Sequence, residues 1–489
     1  MIRLFAMIRL FVMAKKFLLL LATVAFLATA SYSCKTDDSV DEEEPQEKPE
    51  DPQEKPEDPP VNPDDYDPLK ATVLVTNDWI YEGRPQFTFQ VENPNEVVIP
   101  ATVLVRFTKD VKGSAGELTV VENISPKTTK EFVVTTEEDM APGFYQAACF
   151  VNKKSARRFN FGISPTEIIS APDMQEDFTE FWQTAKDQLK AIDMAPNLIP
   201  LDGSNGSANK SNASCKVYFV EIQSVPDGLE GDPVTVRGYY LEPTDGKKHP
   251  VIMHFYGYDT MGNFVSCPSG NSGNYAEFYL SHRGQYINRA PHNLRGDGLE
   301  MDFTNEYDVW FNFQFGDKNG YYYRGAFMDC VQAVNFMATR ETSDMSNLFA
   351  EGASQGGALT YAAAALSDYP FSAIAPCVAF LGDYPDYFKI VDWPGGWAKD
   401  CAKKLGMSDE QMYAFLSYFD TKNLATRISC PVIASSCLMD GTCPPHTNLA
   451  PYNNLKSTEK EIYFYPLLQH EIPKDWPGKT SNFFKAHTK

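Results

Sequence analysis

The sequence predicts a large α/β domain preceded by a small all-β domain. Residues 69–163 contain short alternating apolar segments separated by turn residues, and strand-like and helix-like segments alternate from residue 164 to residue 489. With 43% hydrophobic and 13% aromatic residues, the chain can bury large cores and is not wholly disordered. The mean hydropathy of −0.34 excludes a polytopic membrane protein. The net charge of −22 disfavours nucleic-acid binding, because an acidic surface repels phosphates.

Residues 1–33 have the features of a signal peptide. The basic pair Lys15-Lys16 precedes the apolar run Phe17–Ala28, and small residues lead to Cys34. This run is shorter than the roughly 20 apolar residues that a membrane span needs. Because the first twelve residues nearly repeat themselves, translation starts either at Met1 or at Met13.

The residues around Cys34 predict a lipid anchor. Ser31–Cys34 resembles the lipobox in which a bacterial lipoprotein is lipidated on cysteine. We expect an exported lipoprotein of the outer membrane or cell surface of a Gram-negative bacterium; a periplasmic or secreted protein is the alternative. Residues 34–68 follow as a linker in which Pro45–Asp51 is repeated as Pro52–Asp58. Its many acids and prolines predict a disordered, extended spacer.

The all-β domain, residues 69–163, contains segments with the alternation and the β-branched or aromatic content of strands. They are Thr72–Thr76, Gln86–Val91, Ala101–Phe107, Glu131–Thr135 and Gly143–Val151. About seven strands in a domain of this size are typical of an immunoglobulin-like sandwich. The domain contains no catalytic cluster, so a spacer or interface role is favoured over carbohydrate binding.

The α/β domain, residues 164–489, begins with the amphipathic helix Asp177–Leu189. Strands and helices then alternate, which predicts a mostly parallel sheet covered by helices on both faces. The predicted strands are Val234–Leu241, Pro250–Phe255, Asn347–Ala350, Pro431–Ser436 and Glu461–Tyr465. The predicted helices are Gly325–Ala338 and Gly356–Leu366.

The motif Gly352-Ala353-Ser354-Gln355-Gly356 stands between a predicted strand and a predicted helix. Gly-x-Ser-x-Gly alone is weak evidence, but a strand before it and a helix after it are the setting of a nucleophile elbow. The sharp turn exposes the serine hydroxyl, and the glycines avoid clashes in the strained backbone. We therefore predict that Ser354 is a nucleophile and that this domain has the α/β-hydrolase fold.

A nucleophilic serine needs a histidine base, which in turn needs an acid to orient it. In α/β-hydrolases the acid and the histidine follow the serine, in that order, on loops after later strands. Asp440 and His470 follow the last two predicted strands and meet this requirement. Asp383 is the alternative acid, and His446 is the alternative base.

Two backbone N–H groups are predicted to bind the oxyanion. One belongs to Gln355, directly after the nucleophile, and the other belongs to Tyr258, in the loop after the strand Pro250–Phe255. No Cys/His spacing matches a zinc site, so no metal and no other cofactor is predicted. Besides Cys34 there are nine cysteines, an odd number that leaves at least one free thiol, and Cys437 and Cys443 are candidates for a disulfide.

Several motifs follow one another between about residue 171 and the C-terminus. They are Asp-Phe-x-x-Phe-Trp at Asp177, Gly257-Tyr258, Arg283-Gly284-Gln285, Tyr321–Arg324, Gly-x-Ser-Gln-Gly-Gly at Gly352, Tyr418–Ala425, Leu438–Pro445 and His470-Glu471. In these motifs the chain resembles the acetyl xylan esterase / cephalosporin-C deacetylase family, carbohydrate esterase family seven. The resemblance implies an α/β-hydrolase fold, a triad of Ser354, Asp440 and His470, and an oxyanion hole of the Tyr258 and Gln355 amides.

The motif Arg283-Gly284-Gln285 is expected near the site, where Arg283 is more readily explained as a structural hydrogen-bond hub than as a substrate ligand. The sequence departs from the family at Tyr286, where a glycine is usual, and residues 286–320 are divergent. Trp393 and Trp397 are candidates to line an acyl or sugar pocket, although core packing is the commoner role of tryptophan. Known members of the family that this chain resembles form ring-shaped oligomers. Whether this chain forms a homo-oligomer is left open.

The sequence thus predicts a serine esterase that removes acetyl groups from acetylated sugars, such as xylan or xylo-oligosaccharides, through an acyl-enzyme. The expected partners are an acetylated carbohydrate substrate and, through Cys34, a membrane; nucleic acid is not among them. Two alternatives stay open. One is a prolyl-peptidase-like serine hydrolase, and the other is a non-catalytic surface glycan-binding lipoprotein with a vestigial triad.

Overall fold

A computed structural model describes residues 66–111, 113–204, 209–258, 265–287 and 310–489. The predicted signal peptide, Cys34 and nearly all of the predicted linker lie outside the described residues. The described residues all belong to one compact unit. Among the helices in the described ranges, none has both the length and the apolar character needed to cross a membrane.

Two β-sheets form the N-terminal part of the described chain. Their strands are β1 (Lys70–Leu74), β2 (Ile80–Tyr81), β3 (Gln86–Glu92), β4 (Ile99–Lys109), β5 (Gly113–Ile124), β6 (Thr129–Thr135), β7 (Gly143–Val151) and β8 (Lys154–Ile163). One sheet has the order β1-β3-β6, and the other has the order β2-β8-β7-β4-β5. The predicted all-β character of this region is confirmed, and each of the five segments predicted as strands overlaps a strand.

Aromatic side chains fill the space between these two sheets. In β4 every second residue from Ile99 to Phe107 is buried, because alternate side chains of a strand point to opposite faces. Phe87 of β3 contacts Phe107, Phe159 and Phe161 of the other sheet, with ring centroids 5.1–5.8 Å apart. This aromatic layer joins the two sheets into a β-sandwich.

The α/β domain is built on one large sheet. Its strands are β9 (Asn197–Pro200), β10 (Cys215–Ser224), β11 (Val234–Pro243), β12 (His249–Phe255), β13 (Ala276–Ser281), β14 (Ser343–Ala353), β15 (Ala373–Cys377), β16 (Val432–Cys437) and β17 (Lys460–Tyr465). They lie in the order β17-β16-β15-β14-β12-β13-β11-β10-β9. The neighbours from β17 to β13 are parallel, and those from β13 to β9 are antiparallel.

Helices cover both faces of this sheet. The α-helices are α1 (Phe178–Lys190), α2 (Tyr322–Ala338), α3 (Gln355–Leu366), α4 (Tyr384–Ile390), α5 (Gly395–Leu405), α6 (Asp409–Leu416), α7 (Thr421–Ala425), α8 (Pro445–Asn453) and α9 (Trp476–Ala486). Alternate residues of β15 show the two faces. Ile374 belongs to the main core beneath α2 and α3, whereas Ala373 and Ala375 belong to a second core with Trp476 and Phe484 of α9.

The predicted helices and strands of this domain are present, usually within three residues of the predicted ends. The exception is β14, which begins at Ser343 rather than Asn347. Four strands, β9, β10, β13 and β15, were not among the predicted strands. The candidate disulfide between Cys437 and Cys443 is not formed. Both are buried free thiols, as most of the other cysteines in the described ranges are.

Candidate active site

Ser354 lies at the sharp turn between β14 and α3. Its φ of 59° and ψ of −122° lie outside helical and extended geometry, as expected of a nucleophile elbow. A Cβ on Gly352 would lie 2.4 Å from the carbonyl oxygen of Gly356, and a Cβ on Gly356 would lie 2.2 Å from that of Phe255. Both distances are far below van der Waals contact, so only glycine fits on either side of the serine.

Ser354, His470 and Asp440 form a continuous chain of hydrogen bonds. His470 Nε2 lies 2.9 Å from Ser354 Oγ, and His470 Nδ1 lies 2.7 Å from Asp440 Oδ2. The carboxylate can only accept, so Nδ1 carries the proton and Nε2 is left to accept the proton of the serine hydroxyl. The structure therefore brings together the three side chains that the sequence selected as nucleophile, base and acid.

Asp440 is held in one orientation by its own loop. Its Oδ1 accepts hydrogen bonds from the N–H groups of Thr442 and Cys443, each 2.8 Å long. The Asp440 side chain is fully buried, whereas the His470 side chain is 28% exposed. The acid is thus shielded from water, while the base keeps the access that a hydrolytic water needs.

The alternative residues Asp383 and His446 pair with each other, away from Ser354. His446 Nε2 lies 3.2 Å from Asp383 Oδ2, and Lys422 Nζ donates to Asp383 Oδ1 over 3.0 Å. Burial alone would raise the pKa of Asp383, but His446 and Lys422 hold that pKa below its usual range. These side chains form a separate ion-pair cluster.

The remaining histidines of the described residues also have partners elsewhere. His254 lies between Glu277 and Glu351, His249 pairs with Asp245, His282 pairs with Gln355, and His487 pairs with Glu459. His292 lies outside the described residues. Among the described histidines, His470 is the one that bonds the hydroxyl of Ser354.

Asp383, Asp386 and His446 form a group whose oxygen and nitrogen atoms lie within 4.8 Å of one another, close enough to hold a metal ion. Burial opposes protonation of His446, yet Asp383 and Asp110 raise its pKa. A metal would have to displace that proton, and Lys422 already neutralises Asp383. Ion pairing explains this group without a metal.

The predicted oxyanion donors flank Ser354. Gln355 is the first residue of α3, where backbone N–H groups have no partner within the helix. The positive end of the helix dipole also favours a negative charge at this place. A Cβ built on Gly257 would lie 3.6 Å from Ser354 Cβ, so the loop that continues to Tyr258 passes beside the nucleophile.

A buried network that the sequence analysis missed holds the side chain of Gln355. Tyr323 OH donates to Gln355 Oε1 over 2.9 Å, and Gln355 Nε2 lies 3.0 Å from His282 Nε2. Burial lowers the pKa of His282 to about 4, so the ring is neutral and Nε2 accepts. His282 Nδ1 then faces Tyr322 OH at 2.9 Å. The available signal was position, because His282 directly precedes the Arg-Gly-Gln motif.

Arg283 is a buried hub. Its guanidinium donates to Asp329 and Asp227 over 2.7–2.9 Å, and its side chain is fully buried. Gly284 has a φ of 76°, which favours glycine, and Gln285 is fully buried. The motif thus joins the end of β13 to α2 and supports the neighbouring His282.

Aromatic side chains surround the loop of Tyr258. Trp393 stacks on Phe380 with ring centroids 5.2 Å apart, and its centroid lies 5.7 Å from that of Tyr258 and 5.9 Å from that of Trp397. The Phe380 N–H donates to the carbonyl of Ser354 over 3.0 Å. Trp393 and Trp397 are partly exposed, so their rings offer an apolar surface close to the nucleophile.

Comparisons with known proteins identify the family of this chain. The model of the acetyl xylan esterase family matches residues 167–487. An acetyl esterase of Xylanibacter ruminicola is 23% identical over 355 residues, which are 70% of this chain and 73% of that protein. The solved acetyl xylan esterase of Paenibacillus sp. R4 is 25% identical, with a TM-score of 0.53 over 66% of this chain and 98% of its own.

A second solved structure, acetyl xylan esterase 1 from Thermoanaerobacterium sp., shares the fold, with a TM-score of 0.51 and 23% identity over 66% of this chain and 98% of its own. The predicted α/β-hydrolase fold is thereby confirmed. The family model begins at residue 167, so the β-sandwich precedes the matched region. Because the match spans more than half of the sequence, the chain belongs to the acetyl xylan esterase family.

Proposed function

We propose that this protein is a serine esterase that removes acetyl groups from the hydroxyls of acetylated xylan or xylo-oligosaccharides. The observation that carries the proposal is the chain of hydrogen bonds from Ser354 through His470 to Asp440, 2.9 Å and 2.7 Å long. Family membership supports the acetyl ester as the bond that is cleaved. The aromatic surface formed by Trp393 and its neighbours suits the apolar face of a sugar.

In the acylation step His470 Nε2 takes the hydroxyl proton of Ser354 while Oγ attacks the acetyl carbonyl carbon. The carbonyl oxygen becomes an oxyanion and is bound by the N–H groups of Gln355 and Tyr258. Asp440 stabilises the imidazolium that has formed. Collapse of the tetrahedral intermediate breaks the bond to the sugar oxygen, which leaves as an alcohol with the proton from His470.

In the deacylation step the acetyl group is bonded to Ser354 Oγ. A water molecule gives a proton to His470 Nε2, and its oxygen attacks the same carbonyl carbon. The second oxyanion occupies the same pair of amides. Its collapse releases acetic acid and returns the proton to Ser354 Oγ, so the enzyme is restored without a cofactor.

The proposed activity is tested by acetate release from acetylated xylo-oligosaccharides, with Ser354→Ala as the control. We expect release by the parent protein and a loss of at least 10³-fold in the variant, because the nucleophile is absent. Hydrolysis of 4-nitrophenyl acetate without release from the oligosaccharides would leave the triad in place and refute the substrate. Inertness of the folded parent on both would refute catalysis.

The location is proposed from the sequence alone. Lipidation of Cys34 would anchor the enzyme at the outer membrane or cell surface, and the acidic linker would hold it away from the bilayer. In a Gram-negative host given radioactive palmitate, we expect label in the parent protein and none in Cys34→Ala, which should leave the membrane fraction. Unlabelled parent protein would indicate plain secretion. The molar mass of Cys34→Ala, measured by light scattering, tests whether the protein is a homo-oligomer.

A further inference from the structure

The β-sandwich contacts the loop that carries Asp440. Asn160, on β8, donates from Nδ2 to the carbonyl oxygen of Leu438 over 2.6 Å. Its backbone N–H points to Met439 Sδ at 3.4 Å. Leu438 and Met439 are the two residues that directly precede Asp440. A side chain of the sandwich is therefore bonded to the short segment between β16 and the acid.

The same loop is tied to its own domain on the other side. The N–H of Leu438 donates to the carbonyl of Tyr465, and the N–H of Met439 donates to that of Leu468, over 3.0 and 3.1 Å. These bonds connect the loop to the chain that leads to His470. The backbone of Leu438 is thus held between two partners. Its N–H donates to the α/β domain, and its carbonyl accepts from Asn160 of the sandwich.

Asn160 is itself held in place. It lies opposite Gln146 in the β7–β8 pairing, and Gln146 Nε2 lies 3.3 Å from Asn160 Oδ1. Gln146 thus occupies the amide oxygen of Asn160, and the amide nitrogen faces the Leu438 carbonyl. A donor fixed at both ends positions its acceptor better than a freely rotating one does.

Two further contacts join the sandwich to the same part of the α/β domain. Phe144 of β7 meets Phe464 of β17 with ring centroids 6.4 Å apart. Asp110, at the end of β4, lies 3.7 Å from His446 of α8, which begins just after the Asp440 loop. The contacts therefore lie around the Asp440 loop rather than at one point.

We infer that Asn160 is a positioning residue for Asp440, so that the β-sandwich completes the active site instead of acting as a spacer. The inference rests on the proposed function, because it needs Asp440 to be the acid of the triad. Asn160 lies before the region matched by the family model, which begins at residue 167. The sandwich thus supports the acid through a contact that this region does not contain.

Removing the amide would leave the Leu438 carbonyl without this donor and would loosen the segment that ends at Asp440, which keeps its bonds to Tyr465 and Leu468. Displacement of the carboxylate weakens its bond to His470 Nδ1, and the imidazolium formed in both steps is then less stable. Small displacements of catalytic groups are costly, since about 1 Å can reduce the rate by about 10²-fold. We expect partial loosening of the loop, with kcat lower by about 5–20-fold and KM unchanged.

The experiment compares Asn160→Ala with Asn152→Ala on 4-nitrophenyl acetate, a substrate too small to reach the sandwich. Asn152 also joins backbone groups within the sandwich, donating to the Pro100 carbonyl and accepting from the Thr102 N–H over 3.0 and 2.8 Å. Both variants lose stability in the sandwich, but Asn152 does not contact Leu438. We expect kcat to fall in Asn160→Ala and to stay within twofold of the parent in Asn152→Ala.

The pH profile separates positioning from simple loss of folded protein. When kcat/KM is divided by the folded fraction measured at each pH, a variant that is only less stable keeps the acidic limb of the parent. A weaker Asp440–His470 bond moves that limb to lower pH. We expect this movement in Asn160→Ala alone. If that variant does not fold, Asn160→Asp, which keeps the shape but cannot donate to the Leu438 carbonyl, should show the same loss of kcat.

Unchanged kcat in a folded Asn160 variant, or an equal loss in Asn152→Ala, overturns the inference. The proposed function would fail differently, through an inactive parent or an active Ser354→Ala. The two failures are therefore distinguishable.

Discussion

Buried carboxylates of the α/β domain differ in what their oxygens bind. Asp440 accepts from two backbone N–H groups and from His470, and it forms no ion pair with a lysine or arginine of the described residues. Asp383 binds Lys422 and His446. Asp420 accepts from the N–H groups of Asp383, Tyr384 and Lys422, and burial raises its pKa to about 7. Of these three, only Asp440 bonds the histidine that reaches the nucleophile.

The substitution Asp440→Asn tests this difference. An amide keeps the shape, but it loses the charge that stabilises the imidazolium and can hold His470 in the wrong tautomer. We expect kcat on 4-nitrophenyl acetate to fall on the order of 10³–10⁴-fold, with the fold retained. Steady-state kinetics and thermal unfolding measure the two effects.

The matched control is Asp383→Asn, which alters a second buried aspartate that pairs with a histidine. It breaks a buried ion pair with Lys422 and should lower the free energy of unfolding by about 3–5 kcal/mol. Its kcat per folded molecule should stay within about threefold of the parent. A larger loss of kcat in this control than in Asp440→Asn would reverse the assignment of the acid.

At the scale of the element, the first turn of α3 contains both a backbone N–H and a side chain that matter for the site. Its N-terminus carries the Gln355 N–H that we propose as an oxyanion donor, and the side chain of Gln355 anchors that turn to α2 and to the end of β13. The anchor is the Tyr323–Gln355–His282 network described above. A helix end without such an anchor frays. The orientation of the Gln355 N–H therefore depends on side chains from other elements.

We predict that Tyr323→Phe lowers kcat by about tenfold, less than the 10²–10³-fold loss of a whole oxyanion donor. The buried Gln355 oxygen would lose its donor, which should also lower the free energy of unfolding by about 1–3 kcal/mol. The control is Tyr321→Phe, since the buried Tyr321 OH donates to the Phe311 carbonyl over 3.0 Å. It should lose similar stability without losing kcat, and equal kcat values in the two variants would contradict the network's role.

The sequence predicted elements whose signal is local. The Ser354 turn was predictable because Gly352 and Gly356 mark a close backbone approach, and Asp440 and His470 because they follow strands in the order the fold requires. The strand β13 was not predicted, because the charged residue Glu277 interrupts its apolar pattern. Glu277 has a partner in the fold, since His254 lies 2.9 Å from its carboxylate. The contact of Asn160 could not be predicted from local sequence either, because its partner Leu438 is 278 residues away.

On the scale of the whole molecule, a partly buried charged triplet joins strands of the central sheet. His254 of β12 bonds Glu277 of β13 and Glu351 of β14 through its two ring nitrogens, each over 2.9 Å. The ring also stacks on Tyr279, with centroids 4.1 Å apart. Burial opposes the charge on the imidazole, but the two glutamates outweigh burial and raise the pKa of His254 to about 9. Three parallel strands next to the nucleophile therefore share one proton-dependent contact.

This contact predicts how the stability of the protein depends on pH. A histidine whose pKa is about 9 in the folded state and about 6.5 in the unfolded state stabilises the fold fully below pH 6.5. That contribution declines as the pH rises towards 9, and the loss is at most about 3 kcal/mol, because the side chain keeps some exposure. We expect urea unfolding of the parent to show this decline, and His254→Gln to be less stable at pH 6 with a flatter profile. Parallel profiles for the two proteins would show that the proton on His254 does not stabilise the central sheet.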